Sequence, residues 1–386
     1  MIQYGDIRKL SGYDLEPVDL IVGGSPCQDL STANGNGRKG LDGSRSGLFY
    51  EMIRIIKEMR SKTDGLYPRY ALFENVPGLF TSNDGRDFAI VLGEFARIIE
   101  PTAPDVFVPK EGWPKSGILL VGSRGNIAYR THDAQYWGVA QRRRRLSLVA
   151  DFRGQTAWQI LFEPYCSQRN SEESKESWAQ TSQKVGNSTE LSGAKEVNNL
   201  IRERERENHN DRNDKYQEHD HHGWHFSDSN CQNGHRRESG KCRVEVRFMT
   251  MQAFGNYMET NVASSCKSRD YKDATDLICE GNMVRRLTPL ECERLQGFPD
   301  QWTNIPGASD SARYRALGNS IALPFWEHLA NRFARYGNVR TIGSLFDGIG
   351  GFPLCFKRAG AETLWTSEIE PFCEQVVKYH HDKGEI

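Results

Sequence analysis

Cys27 stands in the run Gly23-Gly24-Ser25-Pro26-Cys27-Gln28, directly behind an apolar stretch, residues 18–23, that reads as a strand. A cysteine just past the carboxyl end of a parallel strand sits where open α/β sheets place their ligands. By type alone a cysteine is also a small buried hydrophobe, and the Pro-Cys-Gln turn is what argues against that reading here. Glu74, in Glu74-Asn75-Val76-Pro77-Gly78, follows the apolar run 70–73 in the same way, so a carboxylate reaches the same sheet edge unless it is a surface loop acid. At 141–145 a glutamine and four arginines precede a third strand, and such runs are solvated or bind phosphate. In an extended segment only alternate residues share a side, which groups Arg143 with Arg145.

A thiol, a carboxylate and arginines converging on one edge have a shared chemical logic. Carbon 5 of cytosine is too weak a nucleophile to take a methyl group from a sulfonium unaided. A thiolate adding at carbon 6 makes the ring an enamine whose carbon 5 can attack, which is covalent nucleophilic catalysis. A carboxylic acid with a raised pKa suits the developing charge on ring nitrogen 3. Arginines would orient that acid and the carbonyl at position 2 while lowering the pKa of the thiol.

The elements that must position these groups follow from apolar periodicity. Runs at 18–23, 70–73, 118–121 and 145–150 read as strands, and residues 48–59 and 88–99 space their apolar side chains at three and four, as helices do. Strands alternating with helices predict a parallel sheet covered on both faces. Residues 167–247 then hold only 15 apolar side chains in 81, with 14 basic and 15 acidic, too few to bury a core, so the stretch reads as a polar insertion or a poorly ordered recognition segment. Order resumes near Phe248. A helix at 287–295 opens with Thr288 as N-cap, Pro289 at its first position and Glu291 at its third, and another spans 324–336 before Gly337 and Asn338 break it. From Arg340 the pattern restarts as strand 341–346, glycine turn 347–351, helix 354–359, strand 362–366 and Glu368. In nucleotide-binding α/β units such glycines let the backbone approach the ligand, and an acid ending the second strand takes ribose hydroxyls. That unit usually opens a fold, whereas here it comes last.

Length allows two to three domains at roughly 100–200 residues each. Lys and Arg number 50 against 51 Asp and Glu, a net charge of −1, so a nucleic-acid partner would be held by a local basic surface and not by a global field. Nine scattered cysteines without a repeated CxxC spacing read as reduced thiols. No apolar run approaches the ~20 residues of a membrane span and no leader is evident, so a soluble, cytoplasmic protein with no membrane partner is expected. Histidines crowd residues 209–235, but without a regular zinc spacing, and no metal site is expected.

Together these residues identify the chain as resembling the DNA (cytosine-5) methyltransferases, over nearly everything outside residues 160–247. The family's cysteine loop matches Ser25-Pro26-Cys27-Gln28, implying Cys27 as nucleophile. Its Glu-Asn-Val motif matches Glu74, Asn75 and Val76, implying that Glu74 contacts ring nitrogen 3. Gln141, Arg143 and Arg145 match Gln-x-Arg-x-Arg, implying two supporting arginines. Arg286-Leu287-Thr288-Pro289 through Gln296-Gly297-Phe298-Pro299 resembles the motif that packs the recognition region onto the core, and Gly318-Asn319-Ser320 the family's final motif. Phe346, Gly348, Gly350 and Gly351 match the cofactor motif and Glu368, with Ile369 beside it, the ribose acid. By the same resemblance Asp6, with Ile7, meets the adenine amino group, and Pro26, Leu48, Asn319 and Ser320 complete an S-adenosylmethionine pocket whose product is S-adenosylhomocysteine.

The resemblance implies a Rossmann-like S-adenosylmethionine-dependent methyltransferase sheet with a smaller target-recognition domain. The motif order departs from the family's, because the glycine loop and ribose acid come last and Gly-Asp-Ile first, which implies a circular permutation. The expected parts are a catalytic part at 1–152, a recognition region at 153–282 containing the polar insertion, a packing motif and return at 283–336, and a permuted cofactor segment at 337–386. Residues 256–278, with Lys267, Arg269, Tyr271 and Lys272, are the expected ordered part of the recognition lobe. The implied partner is double-stranded DNA, from which the target base must be rotated. A cognate restriction endonuclease or a phage-type protective role, a monomer, and a prokaryotic or phage-infected cell complete the expectation. An RNA cytosine methyltransferase and a catalytically silent DNA-binding relative are the alternatives; the roughly 125 residues between motifs favour DNA, and the intact Cys27, Glu74, Arg143 and Arg145 favour an enzyme.

Overall fold

The computed structural model describes residues 1–26, 46–163, 246–253, 256–272, 274–280 and 283–386. Cys27 and nearly all of the polar stretch 167–247 lie outside them. Twelve described strands form two sheets. The larger has eight strands in the order β1-β12-β11-β2-β3-β6-β5-β4. Here β1 is Ile2–Tyr4, β2 Leu20–Gly23, β3 Tyr70–Asn75, β4 Ser116–Val121, β5 Gly125–Asp133, β6 Arg144–Asp151, β11 Thr341–Leu345 and β12 Glu362–Ser367.

The five strands from β1 to β3 run parallel, whereas β6, β5 and β4 alternate antiparallel. The parallel sheet expected for the first 150 residues is therefore corrected to a mixed one. The reason is β5, whose Asn126, His132 and Asp133 are buried polar residues and break the apolar run that would have announced it. Asn126 accepts from the Ala157 amide at 3.2 Å and Asp133 from the Arg143 amide at 3.0 Å, so part of the cost of burying them is offset.

Alternate residues of the central strands feed two cores, as the two-residue strand period requires. Ile21, Ala71, Phe73, Leu146 and Leu148 pack against α1 (Phe49–Lys62) and α2 (Arg86–Ile99). Leu20, Val22, Tyr70, Leu72 and Val149 pack on the opposite face against α3 (Ala157–Leu161), α6 (Leu323–Arg332), α7 (Gly351–Arg358) and α8 (Pro371–Asp382). The sheet is covered on both faces, as expected.

A four-stranded antiparallel sheet, β10-β9-β7-β8, stands apart from the first. It comprises β7 (Val246–Ala253), β8 (Asn256–Thr260), β9 (Asp276–Glu280) and β10 (Met283–Arg286). The β9–β10 pair straddles the boundary expected at 282, so the small sheet runs on to Arg286, and α3 belongs to the large sheet's cover although it lies past 152. Beyond β10, α4 (Pro289–Gln296) opens with the expected capping box: Thr288 accepts from the Glu291 amide while Glu291 accepts from that of Thr288. Gly297 closes it at φ 78°, and α5 (Asp310–Asn319) follows.

The last fifty residues enter the middle of the sheet. β11 lies beside β2 and β12 beside β1, so a segment late in the sequence separates two early strands. Asp19 fastens the entry, its Oδ2 accepting from the amides of Arg340 at 2.8 Å and Thr341 at 3.0 Å. At the far end α8 leads back to β1, where the Met1 amino group lies 3.2 Å from His381 Nε2. No described helix is long and apolar enough to cross a membrane.

Candidate active site

Five adjacent parallel strands bring their carboxyl ends to one edge, and the expected site residues follow from them. β2 ends at Gly23 and delivers Ser25 and Pro26, the two residues before Cys27. The next strand, β3, carries Glu74 and Asn75 at its end. Asn75 Nδ2 reaches the Ser25 carbonyl at 3.4 Å and Ser25 Oγ at 3.3 Å, while its Oδ1 accepts from the Val76 amide at 2.8 Å. One buried amide thus ties the cysteine loop to the glutamate loop.

Glu74 leans on Gly24, where a side-chain carbon would fall 2.4 Å from Glu74 Oε2. Glycine at 24 is what admits the carboxylate to this edge. Arg145 Nε meets Glu74 Oε1 at 2.8 Å, both side chains being largely buried. Burial pushes the Glu74 carboxyl above its ordinary range, and the positive charges of Arg145 and Arg143 restrain the rise. Desolvation thus favours the protonated form, while the Arg145 guanidinium fixes the orientation of the carboxyl.

The two arginines divide their work. Arg145 faces Glu74. Arg143, just before β6 and 2% exposed, donates to the carbonyls of Cys266 at 3.2 Å and Gly318 at 3.1 Å and to that of Ser320. Its guanidinium joins the strand, the loop of the small-sheet region and the Gly-Asn-Ser turn. Gln141 supports the same joint, with Nε2 3.3 Å from the Leu295 carbonyl and 3.4 Å from Cys266 Sγ, and a bridge to Ala263. Gly318 packs so closely that a side-chain carbon there would lie 2.1 Å from the Ser268 amide nitrogen. Lys267, Arg269 and Lys272 are exposed on that loop beside the exposed Arg142 and Arg144.

On the other side of β2 the glycine turn follows β11. Phe346, Gly348 and Gly350 hold φ of 55°, 58° and 78°, and α7 starts at Gly351. A side-chain carbon at Gly348 would meet nothing within 4 Å, so the turn offers backbone to open space. Glu368, at the end of β12, accepts from the Gly348 amide on Oε2 at 2.7 Å and from the Ile369 and Glu370 amides on Oε1. A carboxylate oxygen takes more than one donor, so a sugar hydroxyl fits beside these bonds. Asp347 is buried behind the turn, its carboxyl pushed up to about 7 by desolvation and by Glu368.

Asp6 follows β1, the next strand along, and Ser367 Oγ donates to the Gly5 carbonyl at 2.7 Å. The carboxylate of Asp6 is engaged by the Arg8 amide at 3.0 Å and by the Arg8 guanidinium, which hold its pKa down to about 2. Both of its oxygens are thus engaged within its own turn. Ile7 is buried, Ile369 is exposed, Leu48 precedes α1, and Ser320 caps α5 just after the exposed Asn319. Nothing in the neighbouring residues singles out Trp302, whose indole Nε1 donates to the Ile349 carbonyl inside the glycine turn at 2.8 Å. A lone tryptophan after Gly-Phe-Pro-Asp looks like core, and the contact joins residues 47 positions apart.

Among known proteins, a family model described as C-5 cytosine-specific DNA methylase matches residues 2–99 and 125–335. A protein of Escherichia phage P1 named a DNA N-6-adenine-methyltransferase is 27% identical over 451 residues, covering 86% of this chain and 55% of its own. The type II methyltransferase M1.ScrFI of Lactococcus lactis subsp. cremoris is 26% identical over 336 residues, covering 85% of this chain and 65% of its own. The chain thus spans between half and two thirds of the length of these relatives. A crystal structure of the S. pombe Dnmt2 methyltransferase covers 86% of this chain and 84% of its own at 16% identity, with a TM-score of 0.42. The family match takes in the strands that deliver Ser25, Glu74 and Arg145 and most of the sequence around them, and the chain belongs to the C-5 cytosine-specific DNA methylases, the methyl donor of which is S-adenosylmethionine.

Proposed function

We propose that the chain methylates carbon 5 of cytosine within a short duplex DNA sequence, with Cys27 as the attacking thiol and S-adenosylhomocysteine as the spent donor. The observation that carries this reading is the Glu74 carboxylate, buried beside the loop that leads to Cys27 and paired with Arg145 at 2.8 Å. A cytosine rotated out of the duplex and attacked at carbon 6 gathers negative charge toward ring nitrogen 3. A protonated Glu74 held in place by Arg145 answers that charge. Arg143 acts as a brace between this edge and the recognition loop. S-adenosylmethionine, when bound, supplies the methyl group; Glu368 and the turn from Phe346 to Gly351 would hold its adenosine end, next to Asp6, Pro26, Leu48 and Ser320.

We read the strand order as a circular permutation. The family match ends at residue 335, yet β11 and β12, which lie beyond it, occupy the sheet between β1 and β2. The parts are then a catalytic part ending near 163, a recognition part within 164–286, and a return followed by a cofactor segment from 337 to 386. Relatives named type II methyltransferases support a restriction-modification setting in a prokaryotic or phage-infected cell, with a cognate endonuclease as the partner to seek.

Deamination-based sequencing of plasmid DNA from cells expressing the chain tests the reading. Protected cytosines in one short context, lost with Cys27→Ala, are expected. No protected cytosine while digestion by an adenine-methylation-sensitive endonuclease reveals an N6 mark, as the name of the phage P1 relative would have it, or cytosine protection that survives Cys27→Ala, contradicts it.

A further inference from the structure

We propose that Trp302 and His380 are positioning residues for the glycine turn, holding the backbone that receives the methyl donor; this rests on the reading of that turn given above. Ile349 stands between Gly348 and Gly350, both in the left-handed region, so its peptide has no side-chain contacts of its neighbours to fix it. Glu368 holds the Gly348 amide and the Gly350 amide donates to the Asp347 carbonyl at 3.2 Å; the indole N–H of Trp302 adds the hold on the Ile349 carbonyl at 2.8 Å, and the ring edge comes 3.9 Å from where a side-chain carbon of Gly350 would be.

The tryptophan is itself fixed from two sides. On the chain, buried Glu293 of α4 accepts from the amides of Gln301 and Thr303, each at 2.8 Å, clamping the residues on either side of Trp302. Across the ring, His380 of α8 stacks at 3.5 Å with planes 1° apart. Its Nε2 donates to the Trp302 carbonyl at 2.7 Å, and its Nδ1 meets the Glu385 carboxylate. The Glu385 amide returns to the His380 carbonyl at 2.9 Å. Every polar atom of the stack is used, and the only one spent on the turn is the indole N–H. α4 is thereby joined to the turn through the side chains of Glu293 and Trp302.

The test is isothermal titration of S-adenosylmethionine into wild type and Trp302→Phe, which keeps the stacked ring and deletes the donor. Without the bond the turn must be ordered when the donor binds, and an ordering cost comparable to one neutral hydrogen bond predicts a dissociation constant raised about threefold to tenfold. The KM for the donor should rise by the same factor, while kcat at saturating donor, the KM for DNA and the melting temperature stay near wild type. His380→Phe keeps the stack, loses both ring bonds and should shift donor affinity the same way, which keeps the test open if Trp302→Phe does not fold. Unchanged donor affinity in the folded variants, or equal losses in kcat, DNA affinity and stability, overturns the proposal while leaving the function intact. A wild-type chain that binds no S-adenosylmethionine overturns the functional reading and this one with it.

Discussion

Glu74 is an acid on which burial and an ion pair act in opposite senses. Burial is the larger effect, so its proton persists above the ordinary carboxylate range. If that proton serves the reaction, methylation slows as pH rises through the raised value, and a pH–rate profile reads the descending limb. Glu74→Gln should lower kcat by roughly 10²- to 10⁴-fold, the usual worth of a positioned acid, and remove that limb. Asp347 offers a matching test in stability. Its folded pKa of about 7 lies above its unfolded value, so the folded state holds the extra proton, and the chain loses stability as pH climbs from about 4 to 7. Asp347→Asn retains an acceptor for Ser344 and should stabilise the protein at pH 8 but not at pH 4, by at most about 4 kcal/mol for a shift of roughly three units. Thermal melts at the two pH values measure the difference. Glu368→Ala should weaken donor binding before it touches DNA binding, because its carboxylate sits on the glycine turn and far along the sheet edge from the recognition loop.

At the scale of elements, what was legible in the sequence follows from how local each signal is. The capping box at Thr288, the helices after Leu48 and before Ile99, and the strand–turn–strand run from Thr341 to Glu368 are written in neighbouring residues, and the structure carries them. β5 was not legible, since its buried Asn126, His132 and Asp133 are satisfied or packed by residues distant in sequence, including a ring stack of His132 on Phe325. Alternation groups Arg143 with Arg145, and both charges act on Glu74, but only Arg145 pairs with it, the Arg143 guanidinium being taken by the carbonyls of Cys266, Gly318 and Ser320, which lie 123 to 177 residues away in sequence. Gly318 marks the seam between the two sheets. Gly318→Ala would drive a methyl into the Lys267–Ser268 peptide, so a loss of about 1–3 kcal/mol is expected, the typical cost of overpacking. Chemical denaturation checks the loss, and DNA affinity should fall further than donor affinity.

The whole molecule is held together by contacts between its two ends. β1 pairs with β12, β2 with β11, Asp19 receives the amides of Arg340 and Thr341, and Trp365 Nε1 donates to the Glu16 carbonyl at 2.9 Å. Detaching residues 337–386 would strip two inner strands from an eight-stranded sheet. Moving that block ahead of Met1 through a short linker should preserve the fold, because α8 already ends beside the first residue. Circular dichroism and a melting temperature within a few degrees of the parent are expected; an unfolded product would mean that the present order is needed for folding. All five strand ends then still deliver their residues to one edge, and the central claim is that Cys27 there attacks cytosine. The most direct measurement uses duplex DNA carrying 5-fluorocytosine at the target position. Once carbon 5 is methylated, its fluorine cannot leave as a proton would, so the thiol stays bonded to carbon 6. A denaturant-stable protein–DNA adduct that requires S-adenosylmethionine and disappears with Cys27→Ala is the result expected; methylation of ordinary DNA with no such adduct would contradict it.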